Sequence, residues 1–163
     1  MRTPANIKGH PIHPMLVTIP IGLWVFSLVS DLIRMQSRVP ETWHEVAYWT
    51  MVGGIVGALA AAMPGLIDLL SLKDAAIKKT ALMHMGINLA VVALYVVNAY
   101  LRHVDPQNLG LPFGLSVIAI LMLLVSGWLG GKMVYMAGVG VTATEGSDES
   151  DALAATTPDV HHR

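Results

Sequence analysis

The chain has 163 residues, of which 54% are hydrophobic and 13% charged, with a net charge of −1 and no cysteine. An ordinary soluble domain carries about 25% charged residues, so a soluble globular fold is disfavoured at the outset. The missing cysteines exclude disulfides, thiolate metal sites and thiol catalysis. The near-neutral charge, with no basic stripe interleaved with aromatics, excludes a nucleic-acid partner.

Four stretches lack Asp, Glu, Lys and Arg: Pro14–Ser30, Val46–Ile67, Thr80–Leu101 and Pro106–Gly131, of 17, 22, 22 and 26 residues. A bilayer core about 30 Å thick is crossed by about 20 apolar helical residues. The chain therefore reads as an all-α, integral membrane four-helix bundle whose first partner is the lipid bilayer. Spans are expected at about 14–34, 46–70, 80–101 and 111–136.

The first span follows Gly9-His10-Pro11-Ile12-His13-Pro14, which is no typical signal n-region, and it ends in Ser30-Asp31-Leu32-Ile33-Arg34 without a cleavage site. It is read as a helix that stays in the membrane. Pro11 and Pro14 exclude regular helix at His10–His13, so an extended lead-in holding two imidazoles at the interface is expected. Pro14 and Pro112 suit first-turn positions. Pro20 and Pro64 each remove a hydrogen bond inside a span, to the carbonyls of Leu16 and Ala60.

Span 2 carries Gly53, Gly57 and Ala61 at four-residue spacing, and span 4 repeats the spacing at Gly127 and Gly131. Small residues so placed let helices approach closely, within the bundle or, as the alternative, in a homo-oligomer. Trp43, Tyr48, Trp49 and Tyr100 suit an aromatic belt. Residues 1–137 thus form the transmembrane domain, and 138–163, rich in small and acidic residues, read as a disordered acidic tail.

Arg2, Lys8, Lys73, Lys78, Lys79 and Lys132 fall on the side that carries both termini, against Arg34, Arg38 and Arg102 on the other. This asymmetry places both termini in the cytoplasm. On that side His10 and His13, Asp68, His84, Lys132 and Tyr135 converge from four helices. Ionisable groups inside a membrane usually face the bundle interior with a partner.

Three readings compete for this cluster. In one, Asp68 pairs with His13, His84 or a lysine and ties the helix ends together, as in a cofactor-free accessory subunit of a membrane complex. In another, His84 with His13, or with His10 in its place, ligates a haem b iron or a divalent metal, with Asp68 and Tyr135 around it as second shell or proton relay. Two facing helices supplying neutral imidazoles in a dry core meet the needs of such a centre. In the third, Asp68 and His84 relay protons or ions. The charges at the opposite ends, Asp31, Arg34, Arg38, Glu41, His44, Glu45, Arg102, His103 and Asp105, read as solvated interfacial ion pairs worth about 0–1 kcal/mol each. No nucleophile elbow, phosphate loop or HExxH is present, so enzymatic activity is not expected.

Gly9–Leu28, Pro64-Gly65-Leu66-Ile67-Asp68 and Gly127-Trp128-Leu129-Gly130-Gly131-Lys132-Met133-Val134-Tyr135 resemble a bacterial family of small four-helix membrane proteins, domain of unknown function 2231. The resemblance spans about residues 9–141. It implies four spans, an inner-membrane address and association with other membrane or redox subunits. A common form of that pattern has His where this chain has Thr18 and Met136-Ala137, which leaves His10, His13 and His84 as the candidate ligands.

Overall fold

A computed structural model describes residues 3–141. Residues 142–163 of the acidic tail, with His161 and His162, lie outside the described residues. The chain opens with a two-stranded antiparallel hairpin, β1 (Asn6–Ile7) and β2 (His10–Pro11), in which Ile7 pairs with His10. Lys8 and Gly9 make its turn at positive φ, 50° and 84°. Five helices follow: α1 (Ile12–Leu16), α2 (Thr18–Arg34), α3 (Pro40–Ser71), α4 (Ala75–Val104) and α5 (Gly110–Tyr135).

Helices α1 and α2 together make the first span, and four spans in all are long and apolar enough to cross a membrane. The break at Val17 follows from Pro20, which cannot donate to the Leu16 carbonyl; the ladder resumes with Ile21 N–H on Val17 O at 3.3 Å. The extended lead-in stops at Pro11. His13 already lies in the first helical turn, because Pro14 occupies a position where a helix N–H has no intrahelical partner anyway, while Ile12 N–H bonds to Ala5 O at 2.9 Å.

The remaining helix starts are written locally. Pro40 begins α3. The Asp74 carboxylate caps α4, accepting from Ala76 and Ile77 N–H at 2.8 and 2.9 Å. Pro64 sits within α3 without ending it. At 1.5 Å per residue the 32 residues of α3 reach about 48 Å, beyond the hydrocarbon core at both ends.

Helices α2 and α3 pack as one hairpin and α4 and α5 as another. Outward faces are apolar and exposed, as at Leu59, Val97, Leu124 and Trp128, which suits lipid. The core is built around Trp24, Met51, Val91, Tyr95, Ala99 and Ala119. At its centre the rings of Trp24 and Tyr95 stack, 4.3 Å apart and 12° from parallel. Trp24 donates its indole N–H to Met51 O at 3.2 Å.

The small residues of span 2 serve packing within the chain. Gly53 meets Leu23, Gly57 meets Ile19 and Pro20, and Gly54 lies directly beneath the Trp24 indole. Gly127, by contrast, borders open space. Substitution Gly54→Ala places a methyl group on the Trp24 ring and is expected to cost about 1–3 kcal/mol. Gly22→Ala, with nothing within 4 Å of the added carbon, is expected to be neutral or mildly stabilising. Thermal unfolding of the two variants in detergent checks the contrast; equal melting temperatures would contradict it.

Candidate functional site

Two polar constellations occupy the bundle, one near each end. Near the end that carries the termini, His13 of α1 and His84 of α4 meet with ring centroids 6.3 Å apart and ring planes at 89°. Each ring is tethered in the same way. His13 Nδ1 lies 2.8 Å from Ala61 O, and His84 Nδ1 lies 2.9 Å from Ser126 O. A carbonyl only accepts, so each Nδ1 carries a proton. Ser126 Oγ is also 2.9 Å from His84 Nδ1.

The Asn88 amide donates to His84 Nε2 at 3.0 Å and to His84 O at 2.9 Å. His13 Nε2 makes no hydrogen bond among the described residues. Each ring also rests on a glycine. A Cβ at Gly65 would lie 2.8 Å from His13 Nδ1, and one at Gly130 would lie 3.4 Å from His84 Cε1. Any larger side chain at Gly65 would displace the His13 ring.

The other candidates of this cluster stand apart from the pair. Asp68 accepts from Ala5 N–H at 2.9 Å, which fastens the N-terminal hairpin to the end of α3 rather than bonding to either imidazole. His10 is exposed on β2. Tyr135 is 90% exposed and turned away from the bundle. The two histidines are therefore what the fold brings together. Among the described residues, no group of three or more His, Cys, Asp or Glu is arranged to hold a metal ion.

The second constellation overturns the reading of the opposite end as solvated surface charge. Asp31 and Arg102 are fully buried and form a bidentate pair, with both N···O distances 2.6 Å. Arg102 Nε donates to Asn98 Oδ1 at 3.0 Å, and the Asn98 amide donates to Pro112 O at 2.8 Å and Ser116 Oγ at 2.9 Å. Ser27 joins the same layer by donating to Ala47 O at 2.7 Å.

Arg34 and His44 are buried as well. Arg34 donates to Pro106 O at 2.6 Å and to His44 Nδ1 at 3.2 Å. Sequence position alone suggested exposure, because all four residues lie at helix ends. The overlooked signal was Asn98 one turn before Arg102, an amide that a lipid-facing helix has no use for.

A buried ion pair adds little over a well-packed apolar replacement, but removing one partner leaves a charge without compensation. Asp31→Asn should therefore destabilise the protein by about 3–5 kcal/mol. Asp31→Leu combined with Arg102→Met should cost less than either single change. Melting temperatures of the single and double variants check the ordering, and a harmless Asp31→Asn would contradict the burial.

Comparison with known proteins was made on this geometry. The family model described as Predicted membrane protein (DUF2231) matches residues 9–143, which include both hairpins and both constellations. No curated protein and no solved structure matches the chain. With four-fifths of its length matched by that model, the chain belongs to the DUF2231 family of predicted membrane proteins.

Proposed function

We propose that this protein is a membrane-embedded, non-enzymatic redox subunit in which His13 and His84 supply the two axial ligands of a b-type haem. The observation that carries the reading is the pair itself: two imidazoles, each with its Nδ1–H tied to a backbone carbonyl, rings 6.3 Å apart; ligation by His84 would displace the Asn88 amide from its Nε2. A Nδ1–H on a carbonyl is the outer contact that orients a metal-ligating histidine and raises its basicity.

The number of donors favours haem over a bare ion. A structural divalent site takes about four protein ligands, whereas among the described residues two stand together here. A haem iron draws its equatorial ligands from the macrocycle and asks the protein for its axial ones. Two metal–imidazole bonds of about 2.0–2.1 Å, added to the distance from each Nε2 to its ring centre, separate the ring centres by about 6 Å. Gly65 and Gly130 let the two rings lie close against the backbones of α3 and α5.

When bound, haem supplies one-electron exchange. The chain's own residues orient the imidazoles through Ala61 O and Ser126 O. Asp68 contributes by fixing the lead-in to His13 through Ala5. A proton or ion path through Asp68 and His84 has less support, because Asp68 is engaged by the backbone and the Asp31–Arg102 layer fills the far half of the bundle. A cofactor-free accessory subunit is the remaining reading, and it is what a colourless protein would favour.

The setting in this reading is a bacterial inner membrane with both termini in the cytoplasm. Burial of Arg34 and Arg102 strengthens the orientation, since it leaves Arg38 as the exposed arginine of the far side against Lys8, Lys73, Lys79 and Lys132 on the near side.

The detergent-purified protein is expected to show a Soret band and sharp α and β bands on dithionite reduction, diminished by more than about tenfold in His84→Ala. Iron analysis should give one atom per chain. A colourless, metal-free protein at full expression would overturn the haem assignment, and metal without a Soret band would replace haem with an ion.

A further inference from the structure

Three contacts between the first and third spans pair residues 71 positions apart. His13 faces His84, Trp24 stacks on Tyr95 and Asp31 binds Arg102. One offset through three layers means that the two spans run parallel in a fixed register, each position facing its own counterpart. At 1.5 Å per residue, about 16 Å separate the histidine layer from the aromatic layer, and about 10 Å more lead to the ion pair.

The second helix of each hairpin follows the same rule with an offset of 65. His13 is tethered by Ala61 O and His84 by Ser126 O. Ser27 donates to Ala47 O, and its counterpart Asn98 donates to Pro112 O. Gly65 beds the first imidazole and Gly130 the second. The four buried residues of α5, Pro112, Ser116, Ala119 and Ser126, have buried counterparts in Ala47, Met51, Gly54 and Ala61. The smaller offset reflects a shorter start to the second helix of the repeat: α5 begins two residues before Pro112, whereas α3 begins seven before Ala47.

We infer that the chain is two copies of one helical hairpin joined in tandem about a two-fold axis along the membrane normal, and that the candidate cofactor sits on this axis, taking one imidazole from each copy. The second half of that statement rests on the haem reading; the first does not. Parallel repeats about such an axis are an established way to build membrane proteins, with sites at the repeat interface.

The chemistry of the axial layers follows from the symmetry. On a true two-fold axis each side chain would meet its own copy. Two buried aspartates or two buried arginines would repel, so this layer holds one of each. Trp24 and Tyr95 differ but remain stackable. The histidine layer alone keeps identical residues, as required by a ligand that presents two equivalent faces, such as a metal at the centre of a planar ring. Few other positions match in type, among them Leu23 and Leu94, Val52 and Val117, and Ile55 and Ile120.

Two experiments on the full-length chain test the two halves separately. In the first, the polar layer is exchanged between copies by Asp31→Arg with Arg102→Asp, together with Ser27→Asn and Asn98→Ser. Each single charge reversal is expected to lower the yield of folded protein by about tenfold or more, and the fourfold exchange to restore it to within about twofold. An exchanged protein as impaired as the single variants would overturn the repeat. In the second, His13→Ala and His84→Ala are compared in the haem-loaded protein. Equal conversion from six- to five-coordinate iron, reversed in both by added imidazole, is expected. Loss in one variant with no change in the other would overturn the axial site. A colourless wild-type chain that tolerates the exchange would refute the cofactor and support the repeat.

Discussion

A carboxylate and a guanidinium, withdrawn from both water and lipid, set the relation between the two halves of this molecule. Asp31 and Arg102 are fully buried, and Arg102 is held in turn by Asn98, which is itself fixed to Pro112 and Ser116. Apolar faces sliding in lipid specify register weakly, because hydrocarbon solvates a leucine as well as a neighbouring helix does. A bidentate charge pair permits a single register, since any slip leaves two uncompensated ions in the bilayer. With α2 and α4 so aligned, Trp24 comes to lie on Tyr95, and His13 on His84.

The histidine pair depends on a second set of constraints at the other end. His13 stands in the first turn of a short helix, where an isolated segment would fray. It is held there by the Ala61 carbonyl, the surface of Gly65 and the Asp68–Ala5 contact that anchors the preceding hairpin. His84 lies inside a long helix and needs only Ser126 and Asn88 to set its tautomer. Both imidazoles present a protonated Nδ1 to a backbone carbonyl, which fixes the orientation of each ring.

The four spans were legible in the sequence because a charge costs several kcal/mol in hydrocarbon, so charge-free runs mark helices directly. That His13 and His84 share one end of the bundle was legible too, within a wider set that included His10, Asp68 and Tyr135. Depth does not determine direction, however: Asp68 shares that level yet bonds to the backbone of Ala5, and Tyr135 turns outward. The buried ion pair was hidden because Asp31 and Arg102 lie at span ends, where solvated charge is the ordinary expectation. Only the pairing of helices distant in sequence reveals that they face one another. The two-fold repeat was hidden for a related reason, since its equivalent positions share burial and hydrogen-bond geometry more often than residue type, as Ser27 and Asn98 do.

The central claim is that His13 and His84 hold one iron between nearly perpendicular imidazoles, and low-temperature electron paramagnetic resonance of the oxidised protein tests it most directly. In a bound haem, parallel imidazole planes would split the two iron d orbitals that extend out of the macrocycle plane toward the imidazoles and give a rhombic low-spin spectrum. Perpendicular planes leave those orbitals nearly degenerate and give a highly anisotropic one. With ring planes at 89°, the account predicts the highly anisotropic low-spin signal. A high-spin ferric signal, the mark of a single axial ligand, or no iron signal at all, would contradict it.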